Sequence, residues 1–396
     1  MKPFPKVILL FLAVDWPIFM RRPMVTALGE EAAKFGTAVI AVNRPLCPFT
    51  TLIRKPGRFK ELFERPGLEK IGDNLYLFSP RYFIHDHLAG EIGPLENLNL
   101  TILRRNFRRL FDRLGLIEKS PLVWYYYPQQ GYLTRLFPGS FNIYEIYDNL
   151  TDISGNEIKY LIRMEKKWRD KINLVLTANQ DIFDRYAKNY KTAWVFGNGL
   201  DRTTYLQLGE CKVKPLPAIE SIPHPRIGYA GMVSDRLDWD LIRDLAAARP
   251  GWQFIFAGRL DDSKIPKKFT SFDNVHFTGE YDHNQVPAIL NSFDIAILPY
   301  RDNEFFHNFK PLKFYEYAAA GLPTVSTRSD ELKLFSPDFV KTVPGQKEKW
   351  LEAVEIQLNA DKKKLKEIGR EIASHYIWDN MTADLLRKLN NHLGSL

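Results

Sequence analysis

A lysine and a glutamate stand three residues apart at the start of a predicted helix. Pro311 suits the first helical position, and Gly321 followed by Pro323 ends the helix. The amides and partial positive charge of a helix N-terminus attract anions, Lys313 adds a full charge for a diphosphate, and Glu316 can accept both hydrogens of a ribose diol. This spacing predicts a nucleotide site. The alternative is a solvated lysine and a glutamate that complements the helix dipole.

Two buried-strand patterns flank this helix, at residues 294–300 and 324–327. An earlier strand at residues 226–230 leads into Gly231, where a glycine lets the backbone approach a phosphate closely. Ligands favour the carboxyl ends of the strands in such α/β sheets. The flanking strands therefore favour the nucleotide interpretation of Lys313 and Glu316.

The residues around the helix resemble the donor-sugar site of GT-B glycosyltransferases. The resemblance rests on a strand that ends in Pro-Tyr at Tyr300 and on the pattern Pro-Leu-Lys-x-x-Glu-Tyr-x-Ala-x-Gly-x-Pro over residues 311–323. It is similar to family 4 and, with a methionine at Met232, to the inverting glucuronosyltransferase of xanthan assembly. Many retaining members place a glutamate eight residues before Glu316, where this chain has Asn308. The resemblance therefore leaves inversion and retention both open.

The resemblance also implies a set of donor-binding residues. Common retaining members grip the diphosphate with an arginine and a lysine, near the places of Met232 and Arg236 in this chain. Arg259 is either a further cation or a solvated loop residue. Glu280 and Tyr281 are expected at the nucleotide base, with capping or packing roles as the alternative. The implied donor site comprises Gly231, Met232, Arg236, Arg259, Glu280, Tyr281, Tyr300, Pro311, Leu312, Lys313 and Glu316.

Two carboxylates follow a predicted strand of the first domain. Asp148 and Asp152 stand four residues apart, in a stretch that resembles the Tyr-Asp-x-x-Asp-Asp of bacterial polysaccharide transferases, with Thr151 replacing one aspartate. An inverting sugar transfer needs a general base at the acceptor hydroxyl, and a partly desolvated carboxylate can serve at neutral pH. Asp152 is the first choice and Asp148 the second. Alternatively, Asp148 ends the strand and Asp152 or Ser154 caps the next helix.

The composition limits the remaining classes of site. Only Cys47 and Cys211 are present, which excludes a disulfide framework and indicates the reducing cytoplasm. No G-x-G-x-x-G follows a strand, so we expect no nicotinamide or flavin cofactor and only a nucleoside diphosphate sugar, UDP-linked rather than GDP-linked, as co-substrate. Asp238-Trp239-Asp240 starts a helix and His85-Asp86-His87 lacks further ligands, so we expect no metal site.

A formal charge of +8 predicts anionic partners. Residues 102–114 form a basic amphipathic pattern with an apolar stripe and five arginines. Either the stripe packs on the first domain and the arginines face water, or the helix lies on the anionic inner face of a membrane near a lipid-linked acceptor. No nucleic-acid motif accompanies the charge. The apolar segment at residues 7–14 is too short to span a bilayer, which takes a helix of about 20 residues. It predicts a first buried strand instead.

Strand and helix patterns alternate along the whole chain, which predicts an α/β protein with two Rossmann-like domains facing across a cleft, the GT-B arrangement. We place an acceptor-binding domain at residues 1–208, a proline-rich linker at 209–225, a nucleotide-sugar domain at 226–375 and a returning C-terminal helix at 376–396. Arg21-Arg22-Pro23 resembles an Arg-Pro pair of the family near the acceptor, and these arginines could equally bind a lipid phosphate or a protein carboxylate.

These patterns together predict a metal-independent glycosyltransferase that moves a sugar from a nucleoside diphosphate donor to a glycan or lipid-linked acceptor in polysaccharide or cell-surface glycan biosynthesis. Two rivals remain: a nucleotide-sugar epimerase of the same fold, and a non-catalytic nucleotide-sensing protein at the membrane surface. An epimerase would consume its donor without an acceptor, and a sensor would bind the donor without consuming it.

Overall fold

The computed structural model describes residues 4–44, 67–80, 92–117, 120–151, 156–210, 216–262, 264–303 and 312–395. The chain divides into two compact units. Unit 1 comprises Met1–Asn198 with Met381–Leu396, and unit 2 comprises Gly199–Asn380. No helix in these described ranges combines the length and apolar character needed to cross a membrane.

Unit 1 is built on a sheet whose described strands follow the order β3-β4-β2-β1-β5-β6-β7-β8. Its central strands are short runs of aliphatic and aromatic residues buried on both faces, as a parallel sheet covered by helices requires. The strands are β1 (Val7–Phe11), β2 (Ala38–Val42), β3 (Leu68–Gly72), β4 (Leu75–Phe78), β5 (Leu122–Tyr125), β6 (Asn142–Ile146), β7 (Leu174–Thr177) and β8 (Ala193–Val195). The helices are α1 (Arg22–Ala33), α2 (Gly93–Leu114), α3 (Lys159–Trp168) and α4 (Gln180–Tyr186).

Unit 2 contains an all-parallel sheet in the order β11-β10-β9-β12-β13-β14. Its strands are β9 (Arg226–Ala230), β10 (Gln253–Ala257), β11 (Val275–Gly279), β12 (Ile295–Leu298), β13 (Thr324–Thr327) and β14 (Val340–Val343). Its helices are α5 (Arg202–Glu210), α6 (Pro217–Glu220), α7 (Trp239–Ala248), α8 (Lys264–Lys267), α9 (Val286–Leu290), α10 (Leu312–Ala320), α11 (Lys347–Asn359) and α12 (Lys362–Ser374). The final helix, α13 (Trp378–Ser395), begins in unit 2 and continues into unit 1.

The chain leaves unit 1 earlier than the sequence predicted. Unit 2 begins at Gly199, and Ile219, a described residue of the predicted linker at 209–225, is buried in the core of that unit. The change of unit falls between residues 198 and 199, just before Leu200, whose amide donates to the carbonyl of Tyr376 at 2.7 Å. The prolines of residues 209–225 indicated a linker more strongly than the apolar residues indicated a core, so the predicted boundary differs from the change of unit at residue 198.

One strand of unit 1 was not expected from the sequence. Strand β3 pairs antiparallel with β4 and was not predicted, because its residues are only partly buried and include Glu69 and Lys70. A sheet edge tolerates such residues, so the strand lacks an apolar signal.

Candidate donor site

The candidate site lies where the strand order of unit 2 reverses. β9 and β12 are neighbours in the sheet, but β10 and β11 continue from β9 on one side and β13 and β14 continue from β12 on the other. Connections leave such a pair of strands in opposite directions, so their carboxyl ends open a crevice that commonly holds ligands. β9 ends at Ala230 before Gly231, and Tyr300 follows β12 by two residues. We call this place the unit 2 switch point.

Gly231 and Lys313 lie in contact at the unit 2 switch point. Gly231 has φ +147°, and a Cβ built on it would lie 1.8 Å from Cε of Lys313. The stem of the lysine therefore rests against the glycine Cα, in space that only a glycine leaves open. Gly258 repeats this arrangement at the end of β10, where φ is +143° and a Cβ would lie 1.9 Å from the carbonyl oxygen of Gly231.

The charges around Lys313 favour an anionic ligand. Burial lowers the pKa of the Lys313 ammonium; Glu316 opposes this effect and the guanidinium of Arg236 adds to it. The ammonium also lies 5.7 Å from the ring centroid of Tyr229. A bound diphosphate would raise the pKa of Lys313 again, because a negative charge close to a lysine stabilises its protonated form. The diphosphate and ribose roles of Lys313 and Glu316 stay predictions.

Tyr281 and Tyr300 lie in the same surroundings. Burial, followed by the charge of Glu316, raises the pKa of Tyr281 to about 12, which places that phenol within reach of the Glu316 field. Tyr300 is buried, its pKa is raised to about 12 by burial, and its hydroxyl is hydrogen-bonded to that of Tyr229. Glu280 is exposed directly after Gly279, which has φ +78°. The charge of Glu316, the ribose candidate, thus acts on the phenol of Tyr281, one of the two predicted base-side residues.

The other predicted donor residues that the structure describes lie in the loops after β9 and β10 and at the start of α10. The loop after β9 is held to the end of β10 by a hydrogen bond of 2.9 Å from the amide of Val233 to the carbonyl of Arg259. The side chains of Arg236 and Arg259 are exposed, and those of Met232 and Leu312 are 42% and 50% exposed. Pro311 lies outside the described residues, and the described helix begins at Leu312.

The two acidic and histidine motifs for which we expect no metal site differ in how far the structure describes them. Asp238 caps α7, since its Oδ1 accepts a hydrogen bond of 3.0 Å from the amide of Leu241. Within the described parts of the chain, no three acidic, histidine or cysteine side chains group as metal ligands would. His85 and His87 lie outside those parts.

The two base candidates of unit 1 have different standing. Asp152 lies outside the described residues. Asp148 is exposed just beyond β6, and its Oδ1 accepts a hydrogen bond of 2.8 Å from the amide of Asn149. This bond is the local turn contact expected of an aspartate that ends a strand. The choice of Asp152 as general base stays a prediction.

A buried ion pair lies on β6, the strand that precedes Asp148. Arg21 pairs with Glu145 on β6, and Glu145 also accepts a hydrogen bond of 3.0 Å from Nε1 of Trp124. Arg21 donates a second bond, of 2.9 Å, to the carbonyl of Gly197. Of the partners that the sequence left open for Arg21, the structure shows a protein carboxylate.

Sequence reasoning missed two tyrosines of the donor site. Tyr229 on β9 lies under Lys313, and Tyr317 on α10 accepts a hydrogen bond of 3.0 Å from the amide of Ala230. Both residues are buried and read as ordinary core positions in the sequence. The available signal was the spacing of Tyr317, which follows Lys313 by four residues and so shares its helix face.

Part of the chain matches known proteins in sequence. A family model described as Glycosyl transferases group 1 matches residues 224–355. A putative teichuronic acid biosynthesis glycosyltransferase, TuaH of Bacillus subtilis, is 31% identical over 103 residues, which are 26% of this chain and 26% of that protein. The match thus spans about a quarter of the curated relative.

Solved structures match over nearly the whole chain. Sucrose-phosphate synthase from Thermosynechococcus elongatus has a TM-score of 0.62 at 16% identity, covering 99% of this chain and 100% of that one. Anabaena HepE in complex with UDP and glucose has a TM-score of 0.60 at 14% identity, with 99% and 100% covered. An E. coli structure described as trehalose-6-phosphate bound with UDP-2-fluoro glucose has a TM-score of 0.62 at 10% identity, with 97% and 98% covered. The chain therefore has the GT-B fold, and its residues 224–355 match the family model of the glycosyl transferases group 1.

Proposed function

We propose that the protein is a glycosyltransferase that transfers a sugar from a nucleoside diphosphate sugar to a glycan or lipid-linked acceptor in polysaccharide or cell-surface glycan synthesis. The observation that carries the proposal is Lys313 seated against Gly231 at the unit 2 switch point, with Glu316 on the next turn of α10. The group 1 match over residues 224–355 and the teichuronic acid relative support it.

The donor residues have distinct proposed roles. Lys313 and Arg236, with the helix terminus after Pro311, stabilise the charge of the departing diphosphate. Glu316 accepts hydrogen bonds from the ribose hydroxyls. Tyr281 contacts the base, as its closeness to Glu316 supports. Those cations, without a metal, provide the electrostatic part of the catalysis.

The proposed donor is a UDP-sugar. Two of the similar solved structures contain UDP or a UDP-sugar analogue. We propose Asp152 as the general base that removes the acceptor proton, with Asp148 as the alternative. Replacing each with asparagine while measuring transfer separates the two: the base is the position whose loss abolishes transfer and leaves UDP affinity unchanged.

We further propose that α2 contacts anionic lipid. Its apolar stripe, including Leu103 and Phe107, is buried in the core of unit 1. Arg104 bonds the carbonyls of Arg135 and Leu136, whereas the side chains of its other four arginines are exposed, namely Arg105, Arg108, Arg109 and Arg113. Each such cation contributes about 1 kcal/mol of attraction near an anionic leaflet. The low cysteine content points to the cytoplasmic face.

Sedimentation with vesicles tests the lipid contact. Changing the four exposed arginines of α2 to glutamate should abolish binding to phosphatidylglycerol vesicles. A control variant with glutamate at four exposed lysines of unit 2 has the same net charge and should still bind, those positions being Lys264, Lys267, Lys268 and Lys363. Equal loss in both variants would mean that total charge, rather than α2, governs the binding.

Incubation with UDP-sugars and GDP-sugars tests the function itself. We expect nucleotide release only when an acceptor extract is present, and calorimetric binding of UDP that is lost in Lys313→Ala and Glu316→Ala. Lys267→Ala, an exposed lysine of the same unit, is the matched control. Epimerised donor without acceptor would replace the proposal with an epimerase. Wild-type affinity for UDP in both site variants would refute the site.

A further inference from the structure

The two tyrosines that sequence reasoning missed stand where β9 and β12 stop pairing. The parallel register between these strands ends at Ala296↔Gly228, two residues before β9 ends. Beyond that point, the amide of Ala230 donates to Oη of Tyr317, and the hydroxyls of Tyr229 and Tyr300 are hydrogen-bonded to each other. Phenol groups therefore continue the connection across the unit 2 switch point after the backbone ladder has ended.

Tyr229 contacts both halves of the candidate diphosphate site. Its Oη donates a hydrogen bond of 3.0 Å to the carbonyl of Met232, in the loop that begins with Gly231. Its ring lies 5.7 Å from the ammonium of Lys313. One side chain thus touches the loop that lets the backbone approach a phosphate and the cation that would bind that phosphate.

From this geometry we propose that Tyr229 is a positioning residue for the diphosphate of the donor, holding the Gly231–Met232 turn through its hydroxyl and the Lys313 ammonium through its ring. The inference rests on the proposed function and deepens it. Tyr229 is 2% exposed, so in this proposal it acts through Lys313 and the turn.

The chemistry of tyrosine suits both tasks. Burial raises the pKa of the Tyr229 phenol, so the hydroxyl stays protonated and remains a donor to Met232. The aromatic face attracts a cation, and this attraction strengthens when water is excluded. The charges that act on the Lys313 ammonium are Glu316 of α10 and Arg236 of the loop after β9, so the ring is an uncharged support between them.

Two substitutions separate the two contacts. Tyr229→Phe keeps the ring and removes the hydroxyl, whereas Tyr229→Leu removes both. The matched control is Tyr315→Phe, a buried tyrosine on α10 whose hydroxyl is hydrogen-bonded to Tyr376. Titration calorimetry with UDP from pH 7 to pH 10, on the full chain, gives the affinity of each variant relative to wild type at the same pH.

Tyr229→Phe should weaken UDP binding by about five-fold at every pH, since one hydrogen bond that orders the loop is lost. Tyr229→Leu should weaken it further and should move the alkaline loss of affinity to lower pH, because the ammonium loses its aromatic partner. Tyr315→Phe should lower the thermal midpoint as Tyr229→Phe does and leave UDP affinity and its pH profile unchanged.

A core residue without a positioning role would behave otherwise. Wild-type affinity in Tyr229→Phe, or a wild-type pH profile in Tyr229→Leu, would overturn the inference even if both variants were less stable. If Tyr229→Leu does not fold, the affinity of Tyr229→Phe decides. If wild-type protein binds no UDP and Lys313→Ala is indistinguishable from it, the proposed function fails first and the inference falls with it.

Discussion

The two units differ in the charge of the groups that lie where the strand order of each sheet reverses. In unit 1 the strand order reverses between β1 and β5, which defines a unit 1 switch point. There Gln130 is buried, its Oε1 accepts from the amides of Tyr126 and Tyr127 at 3.2 and 3.1 Å, and its Nε2 donates to the carbonyl of Leu12 at 3.4 Å. A neutral amide joins the two strands.

The charged groups near the two switch points are also balanced differently. In unit 1 the buried charge of Glu145 is met by Arg21 within the protein. In unit 2 Lys313 and Arg236 act on each other unfavourably, with Glu316 as the opposing acid. The strand order thus reverses in both units, and among the described residues at these two points an excess of cations is found at Lys313 and Arg236 of unit 2, where we propose that the diphosphate binds.

The largest expected effect comes from breaking the internal pair of unit 1. Arg21→Met leaves the Glu145 carboxylate buried without its partner and should lower the free energy of unfolding by about 3–5 kcal/mol. Hydrogen exchange at β6 measures this locally, since a protein of two units does not unfold in one step. UDP affinity should not change if the pair serves unit 1 alone.

The pH dependence of Arg21→Met gives the sign of the charge effect. Burial raises the pKa of Glu145 even beside Arg21. A carboxyl whose pKa is raised by folding stabilises the folded state below its unfolded pKa and loses this contribution as the pH rises through the folded value. Without Arg21 the pKa should rise further, so the deficit of the variant against wild type should be smaller at acid than at neutral pH. A deficit that grows on acidification would contradict this account.

The next largest effect concerns the cation of unit 2. Lys313→Met should weaken UDP binding by about 10- to 100-fold, the value of a charge-assisted hydrogen bond to phosphate. The thermal midpoint should stay or rise, because a lysine whose pKa is lowered by folding carries its charge in the folded state at a cost below that pKa. A large loss of stability with unchanged affinity would make Lys313 a structural residue and remove the contrast between the units.

A smaller effect is expected at the glycine beneath that lysine. Gly231→Ala forces a Cβ against Cε of Lys313 at φ +147°, and should destabilise unit 2 by about 1–3 kcal/mol and weaken UDP binding. Gly251→Ala is the control, because nothing lies within 4 Å of its added Cβ. Differential scanning calorimetry and UDP titration of both variants check this. Equal behaviour would show that the turn accommodates a side chain.

The smallest effect is expected from the neutral aromatic contacts of unit 1. Tyr147 lies beyond β6 and its hydroxyl is 3.2 Å from that of Tyr127. Tyr147→Phe should lower the free energy of unfolding by about 0.5–1.5 kcal/mol, the value of one such bond, and leave UDP affinity at the wild-type level. Hydrogen exchange at the amides of unit 1 measures the change, and an altered UDP affinity would contradict a role confined to unit 1.

The strands and the donor motif could be predicted from the sequence because each depends on a local pattern of residues. Uniform apolar runs such as residues 226–230 and 253–257 have no other stable place than a buried strand. The spacing of Lys313 and Glu316 defines one helix face regardless of the rest of the fold. The exposed edge strand β3 and the change of unit at residue 198 lack such a pattern and were missed or misplaced.

Local patterns were enough to predict two series of alternating strands and helices, the GT-B resemblance and a lysine and glutamate at the start of α10. Which groups meet depends on the complete fold: Lys313 rests on Gly231 and the ring of Tyr229, and Arg21 pairs with Glu145, which is more than a hundred residues away along the chain. Local propensities act over a few residues, whereas strand order, and with it the side chains gathered at a strand end, depends on burial of the whole core.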